Sequence, residues 1–169
     1  SLMLLGIVTD TSNLMYRTSY QTFSVLSKLQ MYGAEMPKVQ RYLREDFDMY
    51  VKRMTILNNV EMVEGQYGIA VCNSDDYVTR QFIAKVADSL ILVESIKAGF
   101  CIGRINDHQV AISARSLDEV NVQVIMERLG GGGHFNNSAT QIEGITIDEA
   151  KERLINVLKV QDQIGEKMM

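Results

Sequence analysis

Four consecutive glycines, Gly130 to Gly133, run directly into His134. Each glycine loses more backbone freedom on folding than any other residue and packs no side chain, so the run costs stability. Consecutive residues free to take positive φ can aim several N–H groups into one concavity, a nest that holds an oxyanion. A helix C-cap after Leu129 is the plainer use of the run, although a single glycine suffices for that. The run follows an apolar helical pattern and so lies at the negative end of a helix dipole, unlike phosphate loops that open a helix. Positive charge must then come from side chains. His134 is adjacent, and Arg115 ends an expected strand with a guanidinium suited to bidentate phosphate contact. Alone, a strand-end arginine is an ordinary surface residue; beside such a loop it becomes an anion ligand. His108, after Asp107, falls in a turn between Ile105 and Val110 and reads as solvated.

The elements that must position these groups emerge from hydrophobic period. Residues 1 to 19 open with a short apolar strand ending in the turn-formers Asp10, Thr11, Ser12 and Asn13. A helix carrying Phe23, Leu26, Leu29 and Met31 on one face ends at Gly33, and a further helix starts at Pro37 and runs through Val39, Leu43, Tyr50 and Leu57. These do not make an independent core. Tyr67 to Asn73 then alternates as a strand, and Val78, Phe82, Val86, Ala87 and Leu90 form a helical stripe. Two strands, "IKAGFCIGRI" and "QVAISARS", flank the Asn106-Asp107-His108 turn as a hairpin. Ser116 with Glu119 reads as a capping box for the helix that the glycines end, "TQIEGI" as a last strand, and Thr146 with Glu149 as the cap of a closing helix. From about residue 66 the order is βαββαβα, an α/β unit of domain size.

Composition bounds the partners. Hydrophobic residues are 46% and charged residues 22% of 169, the mix of a chain that builds a core without staples. Cys72 and Cys101 lack the spacing of a zinc or redox site and read as small core hydrophobes in a reducing compartment. No apolar run approaches the roughly 20 residues of a membrane span, and a cytoplasmic location is expected. Net charge is −4, with seven Lys/Arg against five Asp/Glu in residues 1–60 and an acidic excess beyond, so long nucleic acid held by phosphate neutralisation is not an expected partner.

The paired motifs "ISARS" (Ile112 to Ser116) and "GGGGHFNNSA" (Gly130 to Ala139), separated by one helix, resemble the nucleotide-binding DHHA1 domain of the DHH/DHHA1 phosphoesterases. "GIVTDTSNLMYRTSYQTF" is similar to that family's fourth catalytic-domain motif, and "YRTS" with the one-residue-longer glycine-histidine loop looks most like its GdpP-type, membrane-anchored cyclic-di-AMP phosphodiesterases of Gram-positive bacteria. The resemblance implies residues 1–62 as the C-terminal tail of a truncated DHH catalytic domain and residues 63–169 as the DHHA1 domain. It implies two manganese ions, held mostly by aspartates and histidines of the DHH domain, that activate a water against a phosphodiester, the product of cyclic-di-AMP being linear pApA. Carried over by motif, Asp10 is a catalytic metal ligand. Arg115, Ser116, the amides of Gly131, Gly132 and Gly133, and His134 hold the phosphate and sugar, and Arg17 is a weaker cleft residue whose other reading is a solvated helix arginine.

The family's Asp-x-Asp and Asp-His-His motifs occur nowhere in the 169 residues. One carboxylate cannot hold two divalent ions, so the chain is expected to be a C-terminal piece of a longer enzyme, inactive alone, that takes a cyclic dinucleotide or short oligonucleotide. Any membrane contact lies in parts of the parent outside this chain, and the apolar faces of residues 12–60 offer a route to a homodimer. The rivals are an oligoribonuclease or pAp phosphatase of the same family, a single-strand exonuclease of the same family, and a non-catalytic nucleotide-binding module. The shortage of aromatic platforms, with no tryptophan, weighs against the exonuclease.

Overall fold

A computed structural model describes residues 2–167, with side chains through residue 163. The chain divides into two compact units, one ending at Phe47 and the other starting at Asp48.

In the first unit, α1 (Leu2–Asp10), α2 (Tyr20–Met31) and α3 (Met36–Tyr42) surround a small core of Leu4, Val8, Leu26 and Val39. The strand expected at the start is therefore a helix: Leu4 and Val8, one turn apart, both bury completely while Gly6 between them is exposed, whereas a period of 2 would put all three on one face. Ser19 and Thr22 cap α2 reciprocally, and Gly33 comes after it at φ +84°. Of the predicted stripe on α2, Leu26 is buried whereas Phe23 and Met31 are exposed. The single helix expected after Pro37 is broken at Leu43, and α4 (Phe47–Leu57) begins anew.

The second unit is built on a mixed six-stranded sheet in the order β1-β2-β3-β4-β6-β5. Its strands are β1 (Glu61–Val63), β2 (Tyr67–Val71), β3 (Ala98–Asn106), β4 (Gln109–Ser116), β5 (Gly132–His134) and β6 (Asn137–Glu143). Only β2 and β3 pair in parallel, joined through α5 (Arg80–Leu90). The expected βαββαβα order is present, extended by the two three-residue strands β1 and β5. One face of the sheet packs α6 (Val122–Arg128) and α7 (Ile147–Lys167) against Ile69, Phe100, Ile112 and Ala114; the other packs α5 against Ala70, Cys72, Cys101 and Ala111.

Local chemistry explains most of these elements. The predicted stripe Val78, Phe82, Val86, Ala87 and Leu90 is wholly buried, with Thr79 Oγ1 accepting the Phe82 N–H at 3.1 Å. Thr146 and Glu149 exchange the two capping-box bonds that open α7. The cap of α6 differs from expectation. Asn121, not Ser116, accepts from the first-turn amides of Gln123 and Val124, because Asp118 takes φ +65° and diverts the chain before the helix can begin.

The α5 helix seats unusually close to the sheet. On the face of β3 beneath it stand Gly99, Cys101 and Gly103. A Cβ at Gly99 would lie 2.6 Å from Leu90 Cβ, and one at Gly103 would lie 2.5 Å from a Val78 methyl. Cys72 and Cys101 are both buried there, their sulfurs 3.9 Å apart, and burial pushes the Cys101 thiol up from its ordinary range. The helix lies nearly on the backbone. Gly99→Ala should therefore lower stability by about 1–3 kcal/mol through overpacking, read as a fall in urea midpoint with an unchanged slope.

Candidate functional site

Strand register gathers the site. Arg115 on β4 lies opposite Asn137 on β6, and Asn137 lies opposite His134 on β5, so the three form one lateral row. Residues directly opposite in a sheet project to the same face. That face is the α5 side, where Ser113, Ala139 and Gly132 form the next row and Ala111 with Gln141 the one after. The α5 helix packs on β2, β3 and β4. Beyond it, His134, Ala139 and Gln141 are exposed. A shallow hollow lined by Arg80, Ile83, Ser113, Ala139 and Gln141 continues the floor, with Arg80 donating to the Gln141 side-chain oxygen at 2.8 Å.

Arg115 is only 7% exposed, and a cation so buried needs partners. Its Nε donates to Asp88 on α5 at 2.7 Å, and Nη1 donates to the Ser113 hydroxyl at 3.1 Å and the Ala114 carbonyl at 2.9 Å. Those bonds use the Nε proton and both Nη1 protons. Nη2 has no partner among the described residues. The expected two-nitrogen contact with phosphate is thus replaced by a single nitrogen carrying two donors, held rigidly by its neighbours.

The glycine run turns out to serve several ends. Gly130, at φ +82°, and Gly131 close a Schellman motif: the Gly130 N–H donates to Glu127 O at 3.0 Å and the Gly131 N–H to Met126 O at 2.8 Å. The Gly131 amide is spent in the cap and is not available to an anion, against expectation. Gly132 to His134 form the edge strand β5 in place of an open nest, and alternate N–H groups of an edge strand point away from its partner. At Gly131 a Cβ would come within 2.2 Å of Ala139 O, so backbone proximity forbids any side chain there. Gly132 is different. A Cβ there would meet nothing within 4 Å, so the fold itself does not require the glycine.

Ser116 does not join the site. It is next to Arg115 on the same strand and so faces the opposite side, completely buried, its hydroxyl accepting the Val120 N–H at 3.0 Å. His108 lies in the hairpin turn, as expected.

Asp10 and Arg17 belong to the first unit. Asp10 is the last residue of α1, its carboxylate 4.0 Å from the Arg17 guanidinium and both side chains largely exposed. Between them the chain is held left-handed at Ser12, Asn13 and Leu14, and again at Arg17, a run of unfavourable φ that Thr11 supports by accepting the Leu14 N–H. Among the described residues no three His, Cys, Asp or Glu side chains are grouped to hold a metal ion. The residues present do not by themselves fit a two-ion centre.

Asn137, Ser113 and Asp88 are missed by motif reading, yet register alone places the first two, since they stand on the Arg115 face at offsets that strand alternation fixes. Substitution within the run separates its jobs. Gly131→Ala should cost at least about 1–3 kcal/mol by overpacking, whereas Gly132→Ala should be neutral or stabilising by about 0.4–1 kcal/mol through the unfolded state, both read by thermal or urea unfolding.

Comparison with known proteins agrees with this arrangement. The DHHA1 domain family matches residues 64–160. The chain is 42% identical over 154 residues to the cyclic-di-AMP phosphodiesterase GdpP of Bacillus subtilis, covering 90% of this chain and 23% of that protein. It is 41% identical over 169 residues to a membrane protein–large ribosomal subunit bL9 fusion protein of Aster yellows witches'-broom phytoplasma, covering 100% of this chain and 20% of that one. The chain thus spans between a fifth and a quarter of the length of these curated relatives. The crystal structure of an exopolyphosphatase-related protein from Bacteroides fragilis shares the fold at TM-score 0.80 and 17% identity, over 94% of this chain and 48% of that one. With the βαββαβα unit up to the middle of α7, the Arg115 strand and the glycine-histidine edge strand falling inside the matched residues, the chain belongs to the DHHA1 domain family.

Proposed function

We propose that this chain is the substrate-binding part of a metal-dependent phosphodiesterase that hydrolyses cyclic-di-AMP to linear pApA. The observation that carries the reading is the row Arg115–Asn137–His134, which runs from beneath α5 at the buried Arg115 to the exposed His134 at the sheet edge. One buried, fixed guanidinium, one exposed imidazole and one side-chain amide lie in that row, and the register of the short hairpin leaves the Gly133 amide of the edge strand pointing outward beside it. An oxyanion of a phosphodiester matches that set, because Arg115 Nη2, the Gly133 amide and the Asn137 side chain are all donors. The bare strand surface at Gly132 lets a sugar approach the backbone. The identity to GdpP over 90% of the chain supports a cyclic dinucleotide as substrate.

Chemistry is divided between the parts. Asp10, together with residues outside this chain, would hold manganese, which when bound would supply hydroxide near neutral pH and stabilise developing charge. The residues here bind and orient. Arg115 and His134 fix a phosphate, and Arg17, beside Asp10, favours negative charge near that carboxylate. No described helix is long and apolar enough to cross a membrane, so any anchoring lies in the parent protein outside this chain. Residues 1–47 carry the exposed apolar side chains Tyr20, Phe23, Met31 and Tyr32, a surface through which copies can associate.

Four measurements test this. Calorimetry with pApA should show His134→Ala weakening binding roughly ten- to hundred-fold, the loss of one charged hydrogen bond, and Arg115→Ala at least as much. Wild-type affinity in both variants would remove this face as the site. The purified chain should not turn over cyclic-di-AMP with added Mn2+, and turnover by it would overturn the division of labour. In the complete protein, Asp10→Asn should abolish metal-dependent hydrolysis, whereas a pure binding module would be indifferent to it. Competition between cyclic-di-AMP and short linear oligonucleotides on that protein separates the substrate classes.

A further inference from the structure

We propose that Phe135 is a stacking platform for one nucleobase, a role that rests on the phosphate site proposed above. Phe135 and Asn136 form the two-residue turn between β5 and β6, directly after His134. Turn tips of this kind are ordinarily loose, but this one is tied on every side. The Val122 N–H donates to Phe135 O at 2.9 Å and the Ser116 N–H to Asn136 O at 3.1 Å. Asn136 Nδ2 donates to Asp118 Oδ1 at 2.6 Å while Asn136 Oδ1 accepts the Asp118 N–H at 3.1 Å, and Asp118 holds φ +65° to do so. Ser138 Oγ closes the turn on His134 O at 2.6 Å.

All this order fixes the backbone of an aromatic residue that is 43% exposed. Elsewhere in the second unit the rings are accounted for. Tyr67, Phe82 and Phe100 are buried in the cores. Tyr50 and Tyr77 are exposed but lie under guanidinium groups, Arg53 at 5.3 Å and Arg104 at 5.1 Å, and Tyr77 is placed beside Arg104 near the far hairpin turn. Phe135 alone among them has neither a ring nor a cation partner among the described residues. A hydrophobic ring exposed beside a phosphate site, on a backbone already ordered, stacks a flat apolar surface without further backbone ordering. In a nucleotide the base stands one sugar away from the phosphate, which places it beside the phosphate-holding row. One platform serves one base, and that suits a dinucleotide better than a long strand.

Calorimetry on the whole chain with pApA, cyclic-di-AMP and inorganic pyrophosphate tests this, comparing wild type with Phe135→Ala, Phe135→Leu and Phe135→Trp. Expected is a loss of about tenfold or more in affinity for both dinucleotides in the Ala and Leu variants, retention in Trp, and unchanged pyrophosphate binding in all. Because the sequence contains no tryptophan, Phe135→Trp also supplies a single indole, excited selectively beyond the tyrosine absorption, whose emission pApA should quench and pyrophosphate should not. Unchanged dinucleotide affinity in Phe135→Ala, full retention in Leu, or an absence of base-dependent quenching would overturn the stacking role while leaving the phosphate site standing. Equal loss of dinucleotide and pyrophosphate would assign Phe135 to the fold instead. A wild type that binds neither ligand would remove the phosphate site, and the platform with it.

Discussion

The contact on which the site depends is the ion pair between Asp88 and Arg115, and that contact depends on a missing side chain. Gly99 is the direct partner of Arg115 across β3 and β4, and its absent Cβ is what lets Ala87 and Leu90 of α5 rest on the strand. Asp88 sits between those two residues. The same close seat that packs the helix therefore brings its carboxylate within 2.7 Å of the guanidinium. Without Asp88, a cation 93% removed from water would be held by two neutral acceptors only, and it would swing toward solvent or lower stability. Helix packing and the placement of the guanidinium are thus one arrangement of backbone.

A second constraint comes from β5, which is three residues long and lies at the sheet edge. So short a strand has no independent stability. Its neighbours in the chain hold it at both ends. The Schellman motif fixes its entry from α6, Thr140 ties the end of that helix to β6 through the Leu129 carbonyl at 3.0 Å, and the Asn136–Asp118 pair fixes its exit. The costly glycines are then understandable singly. Two close the cap, Gly133 at φ +145° would bring a Cβ within 2.5 Å of Asn137 O, and only Gly132 is left for a ligand.

Much of this is legible in the sequence. Period 3.6 locates the buried face of α5 residue by residue, the polar turn at 106–108 locates the hairpin, and Thr146 with Glu149 locates the start of α7. The misses have physical causes. "LMLLGIV" is dominated by helix-formers, with β-branched side chains only at Ile7 and Val8, and Leu4 and Val8, one helical turn apart, find partners in Leu26 and Val39; so short an apolar run carries no period that tells a strand from a helix. Three-residue strands such as β1 and β5 carry no readable period. Motif resemblance puts Ser116 in one site with Arg115, although adjacent residues of one strand face opposite ways, a rule that needs no coordinates to apply. The opposite case is Asp88. It looks like any polar residue on the outer side of a helix, and only the register that puts Gly99 against Arg115 gives it meaning.

The division between the two units of the chain reflects the same kind of accounting. The second unit satisfies its own polar groups at the site: Arg115 has three acceptors, Ser116 is bonded and buried, and Asn136 and Asp118 answer each other. What it leaves over are donors, Nη2 of Arg115 and the outward Gly133 amide of the edge strand, together with an imidazole. The first unit leaves over an acceptor, Asp10, answered only by a solvated arginine at 4.0 Å. Donors without acceptors attract anions, and an exposed carboxylate attracts cations. The leftover donors lie in the second unit and the leftover carboxylate in the first, so each unit by itself favours one sign of partner charge only.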